Sequence, residues 1–208
     1  MEDTKCTNSI YLMGEMVSPL KYSHTVYGEA FYNYDMSVSR LSGKADILPM
    51  TVSERLLDFT PIYEGETFCI TGQIRSYNKR NEDGSNRLLI TVFIKELTRE
   101  CDPARQKNAN EVTLEGFVCK PTTYRVTPLG REITDLLLAV NRAFNKSDYI
   151  PCIVWGRNAK FAKKFQPGNK LAVSGRLQSR EYEKVLEGGD VIVRTAYEVS
   201  LNNIEQLK

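Results

Sequence analysis

The chain has 208 residues, and its composition of 41% hydrophobic, 10% aromatic and 26% charged residues is that of an ordinary globular protein. These proportions exclude collagen-like, low-complexity and largely disordered proteins. The length allows one large domain or two of about 100 residues each. No apolar run approaches the roughly 18 residues of a membrane helix, and the polar N-terminus is unlike a secretory signal. We therefore expect a cytoplasmic protein with no membrane partner.

The cysteines indicate neither a disulfide framework nor a zinc site. Their number is odd and no Cys-x-x-Cys pair occurs among them; they are Cys6, Cys69, Cys101, Cys119 and Cys152. Scattered cysteines of this kind are typical of intracellular thiols without a structural role. We therefore predict buried or idle thiols, no metal site and no cofactor.

The net charge of +2 conceals a difference between the two halves of the chain. Residues 1–102 contain 11 lysines and arginines against 15 acidic residues, a net charge of −4. Residues 103–208 contain 17 against 11, a net charge of +6. Because a basic domain attracts polyanions and an acidic one does not, the second half is the expected contact for a polyanion. The alternative is that the halves merely have differently charged solvated faces.

An internal repeat divides the sequence. Shifted by 102 positions, the chain matches itself without a gap from Asn8 to Val52, with thirteen identities. After a one-residue slip the match resumes, aligning 65–76 with 168–179. A tandem duplication explains this match. The predicted division has three parts: an N-terminal unit at 1–98, a polar linker at 99–109 and a C-terminal unit at 110–208.

Each unit is predicted to consist mostly of strands. The second unit has five segments rich in β-branched and aliphatic residues between turn formers: 112–118, 133–142, 149–155, 170–180 and 191–201. A short helix is predicted at 158–165, with its counterpart at 53–59 in the first unit. Five strands with one helix after the third is the element order of the OB barrel. We therefore predict an all-β protein of two tandem five-stranded OB-fold barrels, each with one short helix between strands 3 and 4.

Residue parity along the fourth strand of the second unit separates a core face from a basic face. The basic face contains Lys170, Arg176, Gln178 and Arg180, and Tyr182 follows just beyond. Cations of this kind contact the phosphates of single-stranded nucleic acids, while bases stack on aromatic rings. This row therefore predicts a nucleic-acid-binding face.

The third strand of the second unit adds two aromatic residues to the prediction. Tyr149 and Trp155 share its less apolar face, and Arg142, Lys146 and Arg157 flank them. Rings next to cations again suit a single strand, in which bases are free to stack. The alternative is that Trp155 simply closes one end of the barrel.

Four segments of the second unit resemble, in order and spacing, the signature segments of the bacterial single-stranded DNA-binding protein family. They are 110–116, 138–142, 148–157 and 175–182. The resemblance implies an OB barrel that binds single-stranded DNA through four aromatic positions. In this sequence those positions are occupied by Phe144, Tyr149, Trp155 and Tyr182, all aromatic.

The resemblance also implies a row of DNA-contacting cations. Two of the basic positions that contact DNA in the family correspond to Arg157 and Arg180, and Lys146 lies close to a third. Gln178 stands where the family has an arginine, a departure that Arg176 on the same face partly offsets.

The first unit lacks the aromatic set at the equivalent positions, which are Ser42, Ile47, Ser53 and Lys79. Together with its net charge of −4, this predicts a barrel that keeps the fold and contributes little to DNA binding. A cluster of Phe31, Tyr32 and Tyr34 in this unit is expected either to form a subunit interface or to belong to the core.

No catalytic constellation is evident, so we do not expect an enzyme. His24 is the only histidine and is expected in a surface loop. The predicted function is sequence-independent binding of single-stranded DNA in replication, recombination or repair. The alternative is an OB-fold interaction protein or primosome-type scaffold with weak nucleic-acid affinity.

The resemblance carries two further expectations. Family members that recruit other enzymes usually end in an acidic, glycine-rich tail, whereas this chain stops at Lys208, which implies an accessory role without such a tail. Members with one barrel per chain commonly form tetramers. Two barrels per chain therefore predict a homodimer with four OB folds, the alternative being a monomer whose barrels pack against each other.

Overall fold

The computed structural model describes residues 7–80, 84, 86–102, 109–185 and 189–208. The first half contains β1 (Asn8–Met16), β2 (Lys21–Val26), β3 (Glu29–Ser39), β4 (Ala45–Ser53), α1 (Glu54–Phe59), β5 (Thr67–Arg80) and β6 (Asn86–Thr98). The second half contains β7 (Asn110–Val118), β8 (Thr123–Val126), β9 (Glu132–Arg142), β10 (Lys146–Trp155), α2 (Gly156–Ala162), β11 (Lys170–Val185) and β12 (Val191–Gln206). Residues 103–108 of the predicted linker, and Cys6, lie outside the described residues.

The predicted all-β fold of two tandem OB barrels is confirmed. Each half has the five expected strands with a helix after the third, and one further short strand, β2 or β8, that the sequence analysis missed. These strands lie mostly in solvent, so they lack the apolar alternation that identifies a strand. As a consequence, the expectation of a loop at His24 is wrong, since His24 lies in β2.

Each half closes into a barrel by the same pairings. β1 pairs with both β3 and β5, and β4 runs parallel to β6. In the second half β7 pairs with β9 and β11, and β10 runs parallel to β12. Gly175 allows the close approach of β12, because a Cβ there would lie 2.2 Å from the carbonyl oxygen of Ser200.

The two barrels join edge to edge through antiparallel β1 and β7. Ile10 lies opposite Val112, and these two residues are equivalent positions of the repeat. An approximate two-fold axis therefore passes through this pair. The two barrels form one continuous twelve-stranded sheet, packed against each other within a single chain.

The aromatic cluster of the first half belongs to the core. Tyr34 and Phe31 are buried, and Tyr32 packs partly buried against the same core. Burial raises the pKa of the Tyr34 phenol well above its usual value. The sequence analysis left open whether this cluster forms a subunit interface or belongs to the core, and the structure supports the core.

The prediction of idle thiols is wrong for two cysteines, because Cys69 and Cys101 form a disulfide. Antiparallel pairing places Cys69 opposite Thr98, so the chain leaving β6 brings Cys101 within a Cα–Cα distance of 5.6 Å. A pairing of this kind depends on strand register, which residue spacing does not reveal. Cys119 and Cys152 are free thiols whose pKa values are raised by burial.

In the part of the chain that the structure describes, no helix is long and apolar enough to span a bilayer.

Candidate nucleic-acid interface

Trp155 stands at the end of β10 on the outer face of the second barrel. Its indole Nε1 donates a hydrogen bond of 3.1 Å to the hydroxyl of Ser200 on β12. The side chain is still 37% exposed. The ring is therefore fixed at one edge and partly exposed to solvent, an arrangement that leaves part of its surface accessible to a base.

Phe144 lies in the turn between β9 and β10 and is 93% exposed. Its φ of 62° is in the left-handed region, which costs a non-glycine residue of order 1–3 kcal/mol. An aromatic ring that gains no burial and sits on a strained backbone is not explained by packing. Tyr149 on the adjoining strand is 42% exposed.

Tyr182 and Arg180 form a pair near the far end of β11. The guanidinium of Arg180 lies 5.8 Å from the centre of the Tyr182 ring, a cation–π contact. Its Nε is also 3.5 Å from the carboxylate of Glu198, which accepts a hydrogen bond of 2.9 Å from buried Gln178. Part of the positive charge of Arg180 is therefore offset by an acid that the sequence analysis missed. The cross-strand register of β11 and β12 is the signal that would have revealed it.

The predicted cations differ in how freely they reach solvent. Arg142 lies 3.6 Å from Asp148, and Lys170, at the start of β11, lies 3.9 Å from Glu115 on β7. The other three, Lys146, Arg157 and Arg176, are exposed, and within the described ranges no carboxylate forms an ion pair with them. Of the predicted cations, these three therefore carry the charge that neighbouring carboxylates of the described residues offset least.

A second acid lies near Trp155. Glu132 shares a surface depression with Trp155, and the Tyr124 hydroxyl donates a hydrogen bond of 2.6 Å to its carboxylate. This hydrogen bond, with Lys160 at 3.1 Å, lowers the pKa of Glu132. A charged carboxylate on this side of the indole repels phosphates.

The structure distributes the predicted residues, all of them in the second barrel, over several depressions instead of collecting them in one pocket, and the first barrel borders three of these depressions. Trp155 borders the depression that also contains Glu132. Tyr182 lines a second depression together with Pro151, Arg194 and residues of β6. Arg176 lines a third depression, beside Arg40 of the first barrel. Phe144, Arg142 and Lys146, together with Ala143, line a cavity whose remaining walls come from the first barrel. Arg194 and Arg131 are further cations of this surface that the sequence analysis did not single out.

The barrels and their aromatic, basic outer face define a tandem OB-fold protein with a face of the kind that binds single-stranded nucleic acids. The model of the "Single-strand binding protein family" matches residues 109–207. Single-stranded DNA-binding protein B of Bacillus subtilis is 36% identical over 91 residues, a match covering 40% of this chain and 80% of that protein. The chain belongs to this family.

Other relatives are longer than the matched region. Single-stranded DNA-binding protein 1 of Staphylococcus aureus is 41% identical over 91 residues, which cover 40% of this chain and 54% of that protein. Single-stranded DNA-binding protein 2 of Listeria innocua is 38% identical over 81 residues, covering 36% and 51%. The chain thus spans about half the length of these two relatives.

One solved structure extends the likeness to both barrels. The single-stranded DNA binding protein from Thermus aquaticus superposes with a TM-score of 0.74, covering 97% of this chain and 93% of that one at 18% sequence identity. At this identity the likeness shows a shared fold. It includes the first barrel, which the family model does not match.

Proposed function

We propose that this protein binds single-stranded DNA without sequence preference, by stacking bases on aromatic rings and contacting phosphates with cations. The stacking residues are Phe144, Tyr149, Trp155 and Tyr182. The cations are Arg142, Lys146, Arg157, Lys170, Arg176 and Arg180. Family membership supports this proposal, as does the similarity to single-stranded DNA-binding proteins of Bacillus, Staphylococcus and Listeria.

The observation that carries the proposal is the state of Trp155. An indole anchored to Ser200 and still 37% exposed presents a rigid stacking surface on the outer face of an OB barrel. A base stacked on such a ring contributes about 1–3 kcal/mol to binding, whatever its identity. Sequence independence follows, because every base offers a flat π-face.

The deciding experiment uses Trp155 as its own reporter, since it is the only tryptophan of the chain. We expect titration with oligo-dT to quench its fluorescence, and the affinity to fall as salt rises. A duplex of the same length is the control, because its bases are not free to stack. Equal responses to the two ligands, or no response to either, would contradict the proposal. Salt-dependent binding too weak to saturate would instead favour the scaffold alternative.

The proposed setting is the cytoplasm, in DNA replication, recombination or repair, with binding rather than catalysis as the role. The proposed division keeps an N-terminal domain at 1–98, a linker at 99–109 and a C-terminal domain at 110–208. The described strands fit these bounds, since β6 ends at Thr98 and β7 begins at Asn110.

The proposed assembly is a homodimer with four OB folds. The apolar residues Met13, which is half-buried, and Phe117, which is exposed, lie towards opposite ends of the β1–β7 pair and offer apolar surface to a second copy of the chain. The competing state is a monomer, because the two barrels already pack together inside one chain. Light scattering after size exclusion separates the two. A mass near 47 kDa, twice the 23.7 kDa chain, indicates the dimer, and a concentration-independent mass near 24 kDa contradicts it.

A further inference from the structure

The first barrel has a groove of its own, lined by aromatic residues that the comparison of equivalent positions did not reveal. Its volume is about 790 Å³, and its aromatic lining consists of His24, Phe31, Tyr77 and Phe93 from the first barrel and Phe144 from the second. One predicted stacking residue, Phe144, therefore stands at the exposed edge of a groove whose remaining rings all belong to the other barrel.

Three rings of this groove, His24, Phe31 and Phe93, form a contiguous series. Phe31 stacks on His24 with 5.1 Å between ring centres and 12° between planes, and Phe93 lies 5.8 Å from Phe31. The guanidinium of Arg75 covers Phe93 at 5.8 Å. His24 and Tyr77 are exposed and Phe93 is half-buried, so flat surfaces remain accessible along the groove.

An exchange between neighbouring strands explains how the first barrel keeps a ring without a tryptophan. In the second barrel, Trp155 on β10 donates a hydrogen bond to Ser200 on β12. The repeat places Ser53 at the position of Trp155. The register places Phe93 at the position of Ser200, since Phe93 lies opposite Thr51 just as Ser200 lies opposite Ile153. The large aromatic ring therefore lies on the third predicted strand of the second barrel, as Trp155 of β10, but on the fifth predicted strand of the first barrel, as Phe93 of β6.

The charges of the groove also differ from those expected of an acidic half. Arg75, Arg142 and Lys146 line it, and within the described residues no Asp or Glu does. The buried carboxylate of Asp148 lies behind it, 2.9 Å from Arg75 and 3.6 Å from Arg142. Three cations against one carboxylate leave the groove positive. The second barrel has the acidic Glu198 on the corresponding face. By strand register, the equivalent residue of the first barrel is the uncharged Thr91.

We propose that this groove is a second stacking site for single-stranded DNA. A strand leaving the second barrel enters it at Phe144 and continues over Phe93, His24 and Tyr77, with phosphates held by Lys146 and the Arg75–Arg142 pair. The first barrel is then a binding unit with relocated rings, contrary to the expectation that it contributes little. The inference rests on the proposed function of the second barrel.

The test compares the binding of short and long oligo-dT strands by the full-length protein. One OB fold covers roughly 4–16 nucleotides, so a strand of about 8 nucleotides fits one barrel and one of about 30 reaches both. Tyr77→Ala removes an exposed ring, and Phe93→Leu removes a ring while keeping apolar volume. We expect each variant to lose between about fivefold and about 150-fold in affinity for the long strand, with short-strand affinity and Trp155 quenching unchanged.

Phe59→Ala is the matched control, because Phe59 is an exposed ring of the same barrel outside the groove, and its removal is expected to change neither affinity. Unchanged long-strand affinity in Tyr77→Ala overturns the inference, even if Phe93→Leu loses affinity through a folding defect. Equal binding of the short and the long strand by the wild-type protein overturns it as well. Absence of Trp155 quenching at either length would instead show that the proposed function itself has failed.

Discussion

The carboxylate of Asp148 in the second barrel accepts a hydrogen bond of 2.8 Å from the backbone N–H of Ser76 in the first. The same fully buried carboxylate bonds Arg75 at 2.9 Å. Across the approximate two-fold axis, Asp46 accepts a hydrogen bond of 2.7 Å from the backbone N–H of Ser179. Because the contact is made twice, it fixes how the barrels are oriented, and with them the two candidate binding faces.

Replacing Asp148 by alanine is expected to lower the free energy of unfolding by about 2–4 kcal/mol, because it leaves Arg75 and the Ser76 N–H without their shared acceptor. Denaturant unfolding measures this change. Asp135→Ala is the control, since its ion pair with Arg125 is exposed and is worth at most about 1 kcal/mol. Equal losses in the two variants would show that the contact between barrels has no special role.

Trp155→Ala and Tyr149→Ala are each expected to weaken oligo-dT binding by about 1–3 kcal/mol through loss of one stacked base. Fluorescence anisotropy of a labelled strand measures this without relying on tryptophan. Ile47→Ala is the matched control for Tyr149, because Ile47 occupies the equivalent position of the first barrel with a similar exposure of 41%. A comparable loss in Ile47→Ala would mean that the effect is not stacking.

The salt dependence of binding should distinguish the cations. Arg157→Ala is expected to reduce the slope of log affinity against log salt by roughly 0.7, the value for one phosphate contact on a single strand. Arg180→Ala should reduce it less, because Glu198 offsets part of its charge. Affinities measured at several salt concentrations give both slopes. Identical slopes for wild type and Arg157→Ala would place this arginine outside the DNA path.

The disulfide predicts a stability that depends on redox conditions. Cys101→Ser is expected to lower the free energy of unfolding by about 2–4 kcal/mol without reductant, because the bond closes a loop with a sequence separation of 32. In the presence of dithiothreitol, wild type and variant should unfold alike. Cys119→Ser serves as the control with a free thiol. If Cys101→Ser is as stable as oxidised wild type, the bond does not contribute to the fold in solution.

Much of the second barrel could be predicted from its residues. Alternation along the strands placed Leu171, Val173 and Leu177 in the core and Arg176 on the opposite face, as the structure has them. Alternation works here because a barrel strand has one buried and one solvated side, which is a local property of the strand.

The first barrel could be predicted less completely. In the comparison of equivalent positions, Ser53 of the first barrel stands where the second barrel has Trp155. This comparison indicated that the first barrel had lost its aromatic ring. Phe93 was overlooked because it lies on the strand next to Ser53, and only the pairing of β4 with β6 makes them neighbours.

The sequence by itself determined the duplication, the all-β barrels and the chemistry of one face, because repeats, alternation and residue types are written along the chain. Only the tertiary structure decided three contacts. They are the Cys69–Cys101 bond, the ion pair of Arg180 with Glu198, and the position of Phe144 at the edge of a groove of the other barrel. Each of these joins residues of different strands or barrels. Strand register and barrel packing set such contacts, and neither is encoded in the spacing of the residues that meet.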